Sequence, residues 1–403
     1  MSTPRTHSSR LYGVWNSFWF LPMAIASSAV VLAVLLLTLE LTLALPVVGF
    51  LPSEPAGARS LLSSIITAMI SFTALVFSIT VVAVQLASSQ YSPRVLRAFL
   101  QDRITQVTLG VFVATFLFAM VVLAALPDGA DARLPELSLA LSMALVLGST
   151  GTFIYYLHHI TALMRVSHMI AAIGAQTRDA IGRWAADPGE QSESPPLGPV
   201  VSVLTAPASG AVTSIDLERL GRIARQHDCA IAVTPTPGDF VVEGLPLLTI
   251  HQTGDAPPRP VDPASAAAGV DIGVERVPGQ DIGFGLRQLS DIAERALSPG
   301  INDVTTAVRA LQESHDLLRR LAGRPDRART VRDDDGSLRV QARRQSFDSH
   351  LAVSIDDIQR TAPDQPRIVD LIATILSDLE TVARPEHRAT IRRRRAVVDA
   401  RVT

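Results

Sequence analysis

The sequence of 403 residues contains no lysine, so all 36 of its basic residues are arginine. This absence excludes a Schiff-base lysine, a phosphate-binding P-loop lysine and a lysine that carries biotin or lipoate. The single cysteine, Cys229, excludes an internal disulfide bond and zinc sites built from cysteine pairs. Charged residues make up only 18% of the chain and the net charge is −2, which gives no preference for nucleic acid. We expect no cofactor, no metal ion and no nucleic-acid partner.

Apolar residues are abundant instead, at 48% of the chain with a mean hydropathy of +0.29. They concentrate in four blocks, at residues 18–45, 61–88, 107–126 and 137–160. Each block supplies the roughly 20 apolar residues that a helix needs to cross the hydrocarbon core of a bilayer. Glu40 is the only charged residue in the four blocks. The sequence therefore predicts an α-helical membrane protein with a four-helix transmembrane domain at residues 1–165.

Arginines in the short flanks of these blocks predict the orientation of the chain. Eight lie before the first block, between the second and third, or after the fourth, and only Arg59 and Arg133 lie in the two opposite loops. Because arginine-rich loops stay on the cytoplasmic side, we expect both termini in the cytoplasm. The eight are Arg5, Arg10, Arg94, Arg97, Arg103, Arg165, Arg178 and Arg183.

The second block carries a stripe of small and polar side chains at helical spacing. Its members are Ser60, Ser64, Thr67, Ser71, Ser78, Gln85 and Ser89. In membranes such a stripe usually lets two helices approach closely, with hydroxyl groups bonding across the contact. The alternative is that the stripe lines a hydrated path, for example at the axis of an oligomer, although no ring of charges accompanies it. The sequence is compatible with both interpretations of the stripe.

The remaining residues are predicted to form a cytosolic α+β region in three parts. Residues 166–199 form a helical extension and a linker, residues 200–252 a small β-rich, sandwich-like module, and residues 253–403 a mainly helical domain with one β-hairpin at 329–342. Two fragments of the β-rich module, 206–213 and 237–247, resemble the halves of a biotinyl or lipoyl domain. The lack of lysine excludes a carrier of either group.

Polar residues around the segment 298–303 form a second candidate site. Asp281, and Asn302 or Asp303, are placed to cap predicted helices at 282–297 and 304–321, and capping alone explains such residues. The same groups could instead bind an anionic ligand or a cation. The candidate set is Asp281, Arg287, Gln288, Asp291, Ser298, Asn302 and Asp303. The sequence contains no recognisable catalytic triad, metalloprotease motif or nucleotide-binding loop, so we do not expect an enzyme.

Several motifs together resemble a known family. Tyr-Ser-Pro-Arg at 91–94, Gly-Asp-Phe-Val-Val-Glu-Gly at 238–244 and Ala-Leu-Ser-Pro-Gly-Ile-Asn-Asp at 296–303 are similar to the bacterial membrane-protein family known as domain of unknown function 2254. Val304 stands where the family usually has proline. The resemblance covers nearly the whole chain and implies a multi-pass protein of the bacterial inner membrane with a large cytosolic part. It implies no established activity or cofactor.

Two functions agree with these features. The first is an oligomeric channel or transporter for ions or small solutes that is controlled by its cytosolic domain, with the polar stripe lining the path. The second is a membrane-anchored sensor or scaffold that transports nothing. We expect the lipid bilayer and further copies of the chain as partners in either case.

Cysteine labelling separates a packed stripe from a hydrated one. We expect single cysteines at Ser64, Ser71 or Ser78, placed in a Cys229→Ser background, to react with a small water-soluble thiol reagent if the stripe lines a hydrated path. Packed helices would shield all three. If all three cysteines stay unreactive and the reconstituted protein passes no current, the channel hypothesis is wrong.

Overall fold

A computed structural model describes residues 19–42, 54–90, 102–127, 134–163, 165–185, 197–254 and 258–402. The chain forms two compact units, residues 1–165 and residues 166–403. Most of the linker predicted before residue 199, at 186–196, lies outside the described residues.

The first unit contains four helices that are long and apolar enough to cross a membrane, as predicted. They are α1 (Phe20–Thr42), α2 (Pro55–Gln90), α3 (Arg103–Ala124) and α4 (Glu136–Leu163). α3 lies at the centre, with half of its apolar span buried. Large apolar side chains on the other helices, such as Leu35, Phe77 and Leu147, remain exposed, which suits contact with lipid.

Hydroxyl groups bond across the contact between α3 and α4. The hydroxyls of Thr115 and Ser149 lie 2.9 Å apart, and both residues are buried. Tyr156 is fully buried and its hydroxyl lies 2.7 Å from that of Thr80 on α2. At one end of the bundle, His159 Nε2 lies 2.9 Å from a carboxylate oxygen of Asp102, which caps α3. The buried polar contacts of this bundle therefore involve α3 and α4 more than the stripe of α2.

Glu40, the single charge in the apolar blocks, links the end of α1 to the start of α4. Its carboxylate accepts hydrogen bonds from the backbone N–H of Leu137, at 2.6 Å, and from the backbone and hydroxyl of Ser138. The first N–H groups of a helix have no partner within the helix and carry partial positive charge. Glu40 satisfies them, so the one carboxylate of this otherwise apolar segment has a structural role.

The second unit mixes helices with two sheets. Its helices are α5 (Val166–Ala185), α6 (Leu217–His227), α7 (Pro263–Ala267), α8 (Ile282–Ala296), α9 (Val304–Ala322), α10 (Phe347–Leu351), α11 (Asp357–Thr361), α12 (Pro366–Val382) and α13 (Pro385–Val402). Its strands are β1 (Val200–Thr205), β2 (Gly210–Ile215), β3 (Cys229–Val233), β4 (Phe240–Val241), β5 (Pro246–Gln252), β6 (Val270–Gly273), β7 (Arg329–Arg332) and β8 (Leu338–Ala342). The helices predicted at 282–297 and 304–321 and the hairpin predicted at 329–342 agree with α8, α9 and the β7–β8 pair within one residue.

The strands form a five-stranded sheet in the order β1-β5-β3-β8-β7 and a three-stranded sheet in the order β4-β2-β6. All pairs are antiparallel except β3 with β8, where Ile231 lies opposite Val340 and Val233 opposite Ala342. The predicted β-hairpin at 329–342 and β6 thus join the sheets of the β-rich module. The boundary predicted at residue 252 does not separate the sheets from the helices, because β6, β7 and β8 follow it in the sequence. The sequence does not predict this pairing, since strand pairing between distant segments leaves no local pattern.

Two apolar cores hold the second unit together. One lies among α5, α8, α9 and the C-terminal helices, and the other beneath the sheets and α6. Cys229 belongs to the second core, where burial raises the pKa of its thiol to about 11. A π-helical turn at Ala352–Asp356 joins α10 to α11, and the hydroxyl of Ser290 donates a hydrogen bond to the carbonyl of Val353 in this turn.

Removal of the Glu40 carboxylate should loosen the first unit. We expect Glu40→Ala to lower the free energy of unfolding by about 2 kcal/mol, because the amides of α4 lose a charged acceptor where no helical carbonyl can replace it. The melting temperature of the detergent-solubilised protein should fall by several degrees.

Glu40→Gln, which keeps one acceptor oxygen, should give an intermediate loss. Glu54→Ala is the control, because Glu54 is exposed at the start of α2. Equal melting temperatures for Glu40→Ala and Glu54→Ala would contradict the capping role of Glu40.

Candidate functional site

The second unit contains a cavity of about 230 Å³ where the sheets meet the helices. α5 forms one wall with Arg183 and Trp184, and the segment before α8 forms another with Gly279, Gln280 and Asp281. The chain that leaves β8 closes the cavity. This segment contributes Arg343, Arg344 and Gln345, and α10 adds His350.

Side-chain bonds to the backbone fix the walls. Gln280 accepts a hydrogen bond from the N–H of Ile215 at 3.0 Å and donates one to its carbonyl at 3.2 Å. Gln345 donates to the carbonyl of Pro237 at 3.1 Å. Gly283 packs closely beside it, because a Cβ at this position would lie 2.1 Å from Oε1 of Gln345 and would displace this side chain. The walls are therefore held before any ligand binds.

Asp281 is the one acidic residue among the described residues that line the cavity. Its carboxylate caps α8 by accepting a hydrogen bond from the N–H of Phe284 at 3.0 Å. The guanidinium of Arg276 also binds both carboxylate oxygens, at 2.7 and 2.9 Å. Burial raises the pKa of Asp281, although the charge of Arg276 opposes this effect. The negative charge of Asp281 is thus already matched by Arg276.

Four arginines line the cavity: Arg183, Arg329, Arg343 and Arg344. Side chains alternate between the faces of an extended chain, and Val340 and Ala342 of β8 are buried. Arg344 lies on the same face and is half-buried, and its guanidinium lies over the ring of Trp184 at 4.4 Å. Arg343 is exposed, and Arg183 donates to the carbonyl of Gly279 at 3.2 Å. The cavity therefore has cationic groups both inside and at its opening.

Two polar side chains at the cavity have unused hydrogen-bonding capacity. The indole N–H of Trp184 is buried and donates to none of the described residues. His350 is 97% buried, and in the part of the chain that the structure describes its ring forms no hydrogen bond. Burial lowers the pKa of His350 to about 4, so the imidazole is neutral at physiological pH. A buried polar group without a partner is costly, and a bound ligand can satisfy it.

The polar groups of the segment 298–303 form hydrogen bonds with the helix ends that flank the turn. The hydroxyl of Ser298 donates to the carbonyl of Arg295 at 2.6 Å, and Asp303 caps α9 by accepting from the N–H of Thr306 at 3.1 Å. The hydrogen bonds to Thr306 lower the pKa of Asp303. Asn302 adopts a left-handed conformation with φ of 49°, which closes the turn. The capping interpretation accounts for each of these contacts.

The other candidate residues on α8 are paired or buried. Arg287 forms an ion pair with Asp291, at 2.9 Å, and another with Asp357. Gln288 is buried on the same helix. Of the candidate set around this turn, only Asp281 lines the cavity.

The stripe of α2 faces away from the rest of its own bundle. Six members are exposed, and the side chain of the seventh, Ser89, lies outside the described residues. The hydroxyls of Ser64, Thr67 and Ser71 donate to carbonyls one turn earlier in the same helix. Instead, α2 packs through the opposite face, with Leu62 and Met69 buried. Within the described residues of one copy, the stripe therefore forms neither a packed seam nor a closed path.

Sequence reasoning did not identify the residues that define the cavity. Arg343 and Arg344 form one of several arginine pairs in a chain with 36 arginines, and Trp184 stands alone near a helix end. These three residues lie close together because β8 pairs with β3. Among the residues that the structure describes, no group of three or more histidine, cysteine or acidic side chains could hold a metal ion.

Comparison with known proteins identifies the family. The profile of the predicted membrane proteins DUF2254 matches residues 15–378. The chain belongs to this family. Similar proteins include one of Mycobacterium bovis and one of Mycobacterium tuberculosis, both described only as uncharacterised. Each is 32% identical over 355 residues, which cover 85% of this chain and 68% of the relative. No solved structure matches the chain.

The buried histidine of this DUF2254 protein should make its stability depend on pH. The unfolded state takes up a proton on His350 below about pH 6.5, whereas the folded state resists protonation until about pH 4. The free energy of unfolding therefore falls as the pH falls, by about 2 kcal/mol between pH 7.5 and 5. Thermal unfolding at the two pH values measures this loss.

His350→Gln should remove this part of the acid sensitivity. His168→Gln is the matched control, because His168 is exposed whereas His350 is buried. If His350→Gln loses as much stability on acidification as the unmodified protein, the buried imidazole is not the cause.

Proposed function

We propose that the protein is a membrane-anchored receptor whose second unit binds a small anionic ligand in the arginine-lined cavity. The observation that carries the proposal is the set of arginines around a cavity whose single described carboxylate, on Asp281, is already bound by Arg276. In this interpretation the protein binds its ligand without chemical conversion.

The arrangement of donors favours an anion over a cation or an apolar molecule. Guanidinium groups bind phosphate or carboxylate through paired N–H groups, and such charged hydrogen bonds are stronger than neutral ones. Arg183 and Arg343 lie at the opening, where they can attract and hold negative charge. The indole N–H of Trp184 supplies a further buried donor. A cation would meet like charge on several sides.

The position of the cavity along the chain supports a role in sensing. Arg183 and Trp184 belong to α5, and only residues 164 and 165 separate α5 from α4 in the sequence. The helix that forms one wall of the cavity is therefore joined almost directly to a transmembrane helix. A ligand that binds to Arg183 and Trp184 would therefore contact a helix that follows a transmembrane helix in the sequence.

A channel is the second candidate function. It draws support from the exposed stripe of α2, because small polar side chains on a membrane helix prefer contact with protein or water over lipid. Any such path must form between copies of the chain. The receptor is the stronger proposal, since its cavity is complete within one copy.

Pyrophosphate binding tests the receptor. We expect isothermal titration of the full chain in detergent with sodium pyrophosphate, at constant ionic strength, to show saturable binding. Arg343→Gln and Arg183→Gln should each weaken the affinity about tenfold, since each removes a charged hydrogen-bond donor. In a Trp15→Phe, Trp19→Phe background, the fluorescence of Trp184 should change on binding.

Arg222→Gln is the matched control, because Arg222 is exposed and does not line the cavity. It should bind pyrophosphate as the unmodified protein does. The proposal fails if neither pyrophosphate nor sulfate nor citrate binds, or if all three arginine variants lose affinity equally.

A further inference from the structure

The first unit has an open groove of about 530 Å³ between α3 and α4. The first two turns of α3 form one side, and Gly148, Gly151, Thr152 and Tyr155 of α4 form the other. A Cβ at Gly148 or Gly151 would meet nothing within 4 Å. The missing side chains leave space that no described residue fills. In a membrane protein, an open space of this kind is filled by lipid or by another helix.

The inner part of the groove has an apolar surface. Ile104 and Val107 contribute apolar side chains. The two hydroxyls in the lining are already used, because Thr108 donates to the carbonyl of Ile104 and Thr152 to that of Gly148, each at 2.8 Å. This part of the groove therefore offers no unsatisfied donor and suits a hydrocarbon chain.

The outer end of the groove is cationic and polar. Arg103, at the start of α3, is exposed and forms no ion pair with any residue in the described segments. The nearby carboxylate of Asp102 is held by His159 and by the N–H of Thr105, and it does not line the groove. Tyr155 is 57% exposed at the same end. Arginine and tyrosine are typical of the level of the lipid headgroups.

The length of the groove fits within one lipid leaflet. Gly148 and Tyr155 are seven residues apart, which corresponds to about 10 Å along the helix. One leaflet of the hydrocarbon core is about 15 Å thick. With Tyr155 and Arg103 at the headgroup level, Gly148 lies within the acyl-chain region.

We propose that this groove binds an anionic phospholipid, with an acyl chain against Gly148 and Gly151 and the phosphate at Arg103. The charge of Arg103 favours this occupant over a second copy, because a two-fold contact through the same groove would bring two cationic ends together. A phospholipid with an anionic headgroup supplies both the chain and the opposite charge.

Native mass spectrometry of the full chain tests the proposal. After exchange into detergent with equal amounts of dioleoyl phosphatidylglycerol and dioleoyl phosphatidylcholine, the protein should retain phosphatidylglycerol with about a tenfold preference. Arg103→Gln should remove this preference and leave weaker binding of both lipids. Gly151→Leu, which fills the groove, should abolish retention of both.

Two control variants keep the test specific. Arg165→Gln removes an exposed arginine outside the groove, and Ala144→Leu adds the same side chain to an exposed position of α4 outside it. Both should retain phosphatidylglycerol as the unmodified protein does. The proposal is overturned if Arg103→Gln keeps the preference, if Gly151→Leu keeps the lipid, or if a lipid-free dimer forms that Gly151→Leu disrupts.

Discussion

The parallel pairing of β8 with β3 is the constraint on which the cavity depends. It fixes Ala342 opposite Val233, so the chain leaves the sheet with Arg343 and Arg344 beside α5. The alternation along β8 then decides which of the two points inward. A shift of register by one residue would turn Arg344 away from Trp184 and bring Arg343 to the inner face. The sheet therefore selects the cation that lies over the indole ring.

Much of the fold follows from local patterns in the sequence. The apolar blocks predict the four long apolar helices, and Asp281, Asp303 and the turn at Gly336 are signalled by their residue types. The pairing of β8 with β3 has no such signal, because the two strands are about 100 residues apart. The cavity is built on this pairing, so its residues could not be recognised beforehand. Of these residues only Asp281 is a candidate from the sequence, as a helix cap or as part of a ligand site at the segment 298–303.

In the first unit, too, the sequence predicts the helices but not the faces through which they pack. Hydropathy predicts that α2 crosses the membrane, but it does not show which face meets the bundle. Leu62 and Met69 provide that contact, and the hydroxyl stripe is left outside. Hydroxyl pairing occurs instead between Thr115 of α3 and Ser149 of α4. Such pairs are recognised only when the partner helix is in place.

Hydrogen–deuterium exchange of the full chain, with and without pyrophosphate, tests the central claim most directly. If the anion binds between α5 and the chain that leaves β8, the amides at 343–350 and at 180–185 should exchange more slowly in its presence. Residues 217–227 of α6, which do not line the cavity, should exchange as before. Protection absent from both cavity segments, or confined to α6, would contradict an anion site in this cavity.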